Sequence, residues 1–138
     1  MEARAIAKGV RIPPRKARLV IDLVRGKSVV EADKILNNLN KEAARLIRKV
    51  LTSAVANAEN NLSLDKTKLF VTQAFVNEGR TLKRMRFGSR GHVDPIKKRT
   101  SHIIIVVAEK ADKVETAEKT EKVEKKEKAV KTKAAKKN

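Results

Sequence analysis

Two apolar, strand-like runs, LFVTQAFV (69–76) and SHIIIVVA (101–108), are joined by a link that neither run can absorb. The link, residues 80 to 99, reads RTLKRMRFGSRGHVDPIKKR. It holds eight basic residues, Arg80, Lys83, Arg84, Arg86, Arg90, Lys97, Lys98 and Arg99, against one acid, Asp94. Gly79, Gly88 and Gly91 break it at its start and middle. Two strands joined in this way predict one hairpin drawn out beyond its own sheet. Such a ribbon has no apolar face to bury by itself and is marginal in water. Its net seven positive charges repel one another unless a polyanion supplies the countercharge. The phosphate backbone of a nucleic acid is the simplest such partner. The plainer reading, a solvated basic loop, is weakened by the flanking strands and by the charge of the rest of the chain.

That charge is large. With 34 Lys and Arg against 16 Asp and Glu, the net charge is +18 and the pI about 10.5. Clustered basicity of this size is the footprint of nucleic-acid binding. Attachment to an anionic membrane calls for a basic amphipathic helix with bulky apolar residues, and no such segment is evident. No run approaches the roughly eighteen apolar residues of a spanning helix, and the N-terminus shows no secretory pattern. Zero cysteines exclude disulfides and thiolate metal sites, which fits a cytosolic location. The aromatics are Phe70, Phe75 and Phe87, with no Trp or Tyr. Modules that read single-stranded RNA stack bases on several exposed aromatics, so the expectation here is recognition of folded RNA by backbone and shape.

At 138 residues the chain has room for one domain. Residues 2 to 12 suit an edge strand ending at Pro13-Pro14. Proline in the first turn opens a helix, whose stripe is Ala17, Val20, Ile21 and Val24, with Gly26 as its stop. Ser28 and Glu31 form a capping box for a second helix. A third, about 41 to 61, carries Ala43, Ile47, Val50, Ala54 and Ala58 at steps of three and four. Its small residues predict close packing on a sheet. The strands at about 68–78 and 100–108 are apolar on both parities, so both faces are expected to need at least partial cover. Together these make an α+β domain over residues 1–108. From Glu109 the composition shifts to a Lys/Glu/Ala repeat, with acids at every third position to 127, too polar to fold. Eleven of the 34 bases and seven of the 16 acids lie in that tail, leaving a net +14 on residues 1–108.

Catalysis finds no support. His92 and His102 have no metal or triad spacing around them. Ser101 and His102 are adjacent on a strand, so they point to opposite faces. No phosphate-cradling glycine motif is present. No cofactor and no metal are expected.

The segments RIPPRKARLVIDLVRGK (11–27), KVLTSAVANAENN (49–61), LKR (82–84) and KKRTSHIIIVV (97–107) resemble the family of bacterial large-subunit ribosomal protein number twenty-two. The resemblance covers residues 1–108 in order and register. It implies three helices packed on a small three-stranded antiparallel sheet, with one long extended β-hairpin. It further implies a protein that binds ribosomal RNA, aids subunit assembly and lines the nascent-peptide exit tunnel with its hairpin tip. The tip would be Phe87, Gly88, Ser89, Arg90, Gly91 and His92. Lys83, Arg84 and Arg90 would lie along the arm, and Lys98, Arg99, Thr100, Ser101 and His102 on the returning strand. Arg11, Arg15, Lys16, Arg18 and Lys27 would form the RNA-facing globular surface, and Arg80, Arg86 and Lys97 complete the basic set. Partners implied are ribosomal RNA, neighbouring large-subunit proteins and the nascent peptide, with no membrane and no homo-oligomer. The tip departs from the family's usual P-R-A-x-G-R-A, since Gly88 and His92 stand where arginines are common. An alternative reading is a free nucleic-acid-binding or regulatory protein that uses its first two helices as a helix-turn-helix.

Overall fold

The long alanine-striped segment forms the helix that the rest packs around. In the computed structural model, which describes residues 1–109, it runs Glu42–Leu62 (α3). Its stripe of Ala43, Ala44, Ile47, Val50, Leu51, Ala54, Val55 and Ala58 is buried. Alanines on that face let the helix axis approach closely. The surface opposite is a three-stranded antiparallel sheet in the order β1-β5-β2, from strands Glu2–Val10 (β1), Leu69–Glu78 (β2) and Ser101–Glu109 (β5). Ile103, Ile105 and Val107 of β5, the central strand, meet Val71, Ala74 and Val76 of β2 and Ala3 and Ala5 of β1 in one apolar cluster under the helices.

The first two helices complete the layer. Helix α1 (Pro14–Ile21) begins without a side-chain cap, and the Pro13 carbonyl takes the amides of Lys16 and Ala17 instead. It stops at Ile21, short of the expected Gly26. The cause is tertiary: Gly26 donates to the Val71 carbonyl at 2.9 Å and Lys27 accepts from the Val71 amide at 2.9 Å. Pairing with the β2 edge pulls the chain out of the helix, and Gly26 makes the bend at φ +74°. Val24 still reaches the core. Helix α2 (Val29–Asn38) starts on Ser28, whose Oγ accepts from the Glu31 amide at 3.3 Å.

The two sheet faces, both expected to need at least partial cover, are covered unequally. Among the described residues, helices lie on one face only, over Ile103, Ile105 and Val107. On the other parity Ile104 and Val106 are half-buried, and Ile6 and Phe75 are 43% and 46% exposed. One helical layer is all that 109 residues supply. The expected hairpin forms as a separate two-stranded sheet, Leu82–Phe87 (β3) with Val93–Lys98 (β4). The low-complexity tail expected to stay unfolded lies, from residue 110, outside the described residues.

Candidate nucleic-acid interface

Strands β3 and β4 pair in the register Leu82 with Lys98, Lys83 with Lys97, Arg84 with Ile96, Met85 with Pro95, Arg86 with Asp94 and Phe87 with Val93. Alternation then sorts the ribbon into two unlike faces. One carries Arg84, Arg86 and Lys98 with Leu82, Ile96 and Asp94. The other carries the like-charged pair Lys83 and Lys97 near the base, then Met85, Phe87, Pro95 and Val93 toward the tip. Met85 and Phe87 are 78% and 84% exposed, and every residue from 83 to 95 is solvent-facing. Two like charges directly opposite each other destabilise a strand pair.

No ion pair among the described residues neutralises these cations, and the ribbon's one acid, Asp94, lies opposite Arg86. Among the described residues the four ion pairs are Arg25–Asp22, Arg45–Glu42, Arg48–Asp33 and Lys68–Asp65, none of them drawn from residues 80–99. The shifted pKa values follow the same map. A hydrogen bond from Arg45 holds the Glu42 carboxyl below the usual carboxylate range, and the Asp33 hydrogen bond raises Arg48. Both sit on the helical layer, remote in sequence from the hairpin.

The tip is closed by backbone. Gly88 donates to the His92 carbonyl at 2.8 Å and His92 to the Ser89 carbonyl at 3.2 Å. Arg90 and Gly91 both take left-handed conformations, at φ 52° and 74°. Glycine adopts this freely, whereas arginine does so at a cost of about 1–2 kcal/mol. At the base, Glu78 pairs with Ser101 and Leu82 with Lys98, so three residues on one strand face two on the other. This bulge is held by Gly79, which donates to the Thr100 carbonyl at 2.9 Å, and by the Thr100 hydroxyl, which donates to the Arg80 carbonyl at 2.7 Å.

The expected contact residues therefore divide. Arg80, Lys83, Arg84, Arg86, Phe87, Gly88, Ser89, Arg90, Gly91, His92, Lys97, Lys98 and Arg99 are exposed along the arm and tip. Arg11, Arg15, Lys16 and Lys27 are exposed on the globular part. Arg18 is half committed: its Nε donates to the Val76 carbonyl at 3.2 Å, and its other nitrogens make no hydrogen bond within the described residues. Thr100 is buried and serves the hairpin base. Ser101 is fully buried on the helix side of β5, so it presents no atom to an outside partner. His102 faces the other way, and its Nδ1 accepts from the Gly9 amide at 2.9 Å.

Sequence reasoning missed Arg25, whose Nη2 donates to the Ala74 carbonyl at 2.9 Å. Arg18 and Arg25 thus shield carbonyls along the free edge of β2, a safeguard against edge-to-edge pairing. No spacing signal announces this, because the partners lie 49 and 58 residues away.

A family model described as ribosomal protein L22p/L17e matches residues 5–108. The chain is 63% identical over 108 residues to large ribosomal subunit protein uL22 of Ligilactobacillus salivarius, covering 78% of this chain and 94% of that protein. Against the protein of the same name from Oceanobacillus iheyensis it is 54% identical over 112 residues, covering 81% and 99%. A strongly basic hairpin, carried on an α+β domain that matches along nearly its whole length, places the chain: it belongs to the ribosomal protein L22p/L17e family, whose members are structural constituents of the large ribosomal subunit and not enzymes.

Proposed function

We propose that this chain is an RNA-binding structural protein of the large ribosomal subunit, working in the cytoplasm as a single copy beside neighbouring subunit proteins. Its globular surface, with Arg11, Arg15, Lys16, Lys27 and the free end of Arg18, docks on folded ribosomal RNA. Its hairpin runs inward between RNA helices as a cationic arm and helps hold them during assembly. The observation that carries this reading is the basic charge of the arm, with Lys83 opposite Lys97 and no ion-pair partner for either among the described residues. Lys and Arg neutralise phosphates and release counterions, and these contacts offset the cost of ordering a ribbon that is marginal by itself. The two-faced ribbon supports a finer assignment: Arg84, Arg86 and Lys98 meet phosphates, and the exposed tip around Phe87–His92 borders the exit tunnel and the nascent peptide.

Sedimentation of the tagged chain from cell extract, at low and raised salt, tests this. The intact chain is expected to travel with the large subunit at both. A chain lacking residues 83–95 should still dock at low salt through the globular surface and wash off at raised salt. An intact chain that stays at the top of the gradient would overturn the reading.

A further inference from the structure

We propose that the uncovered face of the three-stranded sheet is a second RNA contact, distinct from the hairpin and α1, which holds one unpaired nucleotide; the proposal rests on the RNA-binding function given above. Ile6, Ile104 and Phe75 are register partners across the three strands, so they form one continuous row. At two strand spacings the row is about 10 Å wide, enough to lie under a base. The one aromatic in it, Phe75, is nearly half exposed, so its ring offers a free stacking surface to a base.

One step along the strands lies a polar row, with Lys8 and Gly9 bulged opposite His102, and His102 paired with Asn77. The His102 ring is fixed there by an unusual bond. Its Nδ1 accepts the Gly9 amide, which the bulge leaves without a strand partner. A ring nitrogen that accepts must carry its lone pair, so the proton of the neutral ring sits on Nε2 as a donor. Lys8 and Asn77 supply further donors. The two rows are about 7 Å apart along the strand, a step comparable to that between a phosphate and its own base. Arg4, opposite Val106, adds a second cation to the same face, and the acid on its parity, Glu2, lies at the far end opposite Ala108. An apolar centre with a cationic rim fits a nucleotide. A net charge of +18 disfavours a second copy of the chain.

The full chain should be titrated with two RNA probes, one a stem with an unpaired uridine-rich loop, the other a fully paired duplex of equal phosphate number. The chain is expected to prefer the looped probe. Phe75→Ala should lose that preference by roughly tenfold, the scale of one stacked base, while Phe75→Tyr keeps it. Lys83→Ala should weaken both probes alike. A 4-thiouridine in the loop should crosslink to the β2 peptide containing Phe75. If the intact chain binds neither probe, the RNA-binding function itself fails. If it binds both and Phe75→Ala changes nothing, this second contact is overturned. It is overturned equally if Phe75→Ala spares RNA but abolishes binding of a neighbouring subunit protein. Unchanged thermal unfolding of Phe75→Ala verifies that the variant is folded.

Discussion

Gly79 leaves the space that Thr100 fills: a Cβ added at Gly79 would lie 2.5 Å from Thr100 Oγ1 and 3.2 Å from its carbonyl carbon. The requirement is for room, not for a left-handed backbone. Gly79→Ala should therefore destabilise the protein by about 1–3 kcal/mol, the usual range for overpacking. The loss should appear in hydrogen exchange as early opening of residues 82–98. Thr100→Ala in the same chain should recover only part of it, because the backbone approach persists. By itself Thr100→Val leaves the Arg80 carbonyl without its donor and should cost about 1 kcal/mol.

Ser101 is fully buried and its Oγ has no hydrogen-bond partner among the described residues. A buried hydroxyl without a partner is a net cost. Ser101→Ala should stabilise the fold by about 1 kcal/mol, raise Tm by a few degrees, and leave RNA affinity unchanged. A fall in RNA affinity at unchanged stability would show that the residue reaches the partner after all.

Ser63 ends α3 at φ 51°, and Leu64 donates back to the Ala58 carbonyl at 3.2 Å. That is the position where glycine is favoured. Ser63→Gly removes the steric cost of the left-handed backbone, about 1 kcal/mol, and should raise Tm. A drop would mean that the serine side chain contributes something beyond its backbone.

Lys83 and Lys97 make opposite demands in the free and bound states. Lys97→Ala relieves repulsion across the hairpin, so the free ribbon should become better protected from exchange. RNA binding should weaken, with the slope of log K against log salt shallower by about 0.7–0.9 if one phosphate contact is lost. An unchanged slope would place Lys97 off the phosphates.

Glu42 opens α3 and is hydrogen-bonded to Arg45, which lowers its pKa. A carboxylate with a lowered folded pKa contributes stability that is present above the unfolded pKa and lost as pH falls through the folded one. Glu42→Gln should leave the protein slightly less stable at neutral pH, with the difference vanishing below the ordinary carboxylate range. Both side chains are more than half exposed, which keeps the effect small.

Much of this was legible in the chain because it rests on local regularities. The stripe on α3, the Ser28 cap and the two apolar strands depend on spacing within a few residues, and the helix expected at 41–61 forms at Glu42–Leu62. The basic hairpin was legible because glycines and charge density are properties of composition. What the sequence could not determine was set by partners far away along the chain. Helix α1 ends early because Gly26 and Lys27 pair with Val71, and Arg18 and Arg25 turn to carbonyls of β2. Strand alternation already separates the adjacent Ser101 and His102 in the sequence, but only the packing decided that the first lies in the core and the second on the open face. Apolar residues on both parities of β5 specified a strand that prefers burial on both sides. Only the tertiary packing decided which side the helices cover, because one layer of helices can exclude water from one face of the sheet.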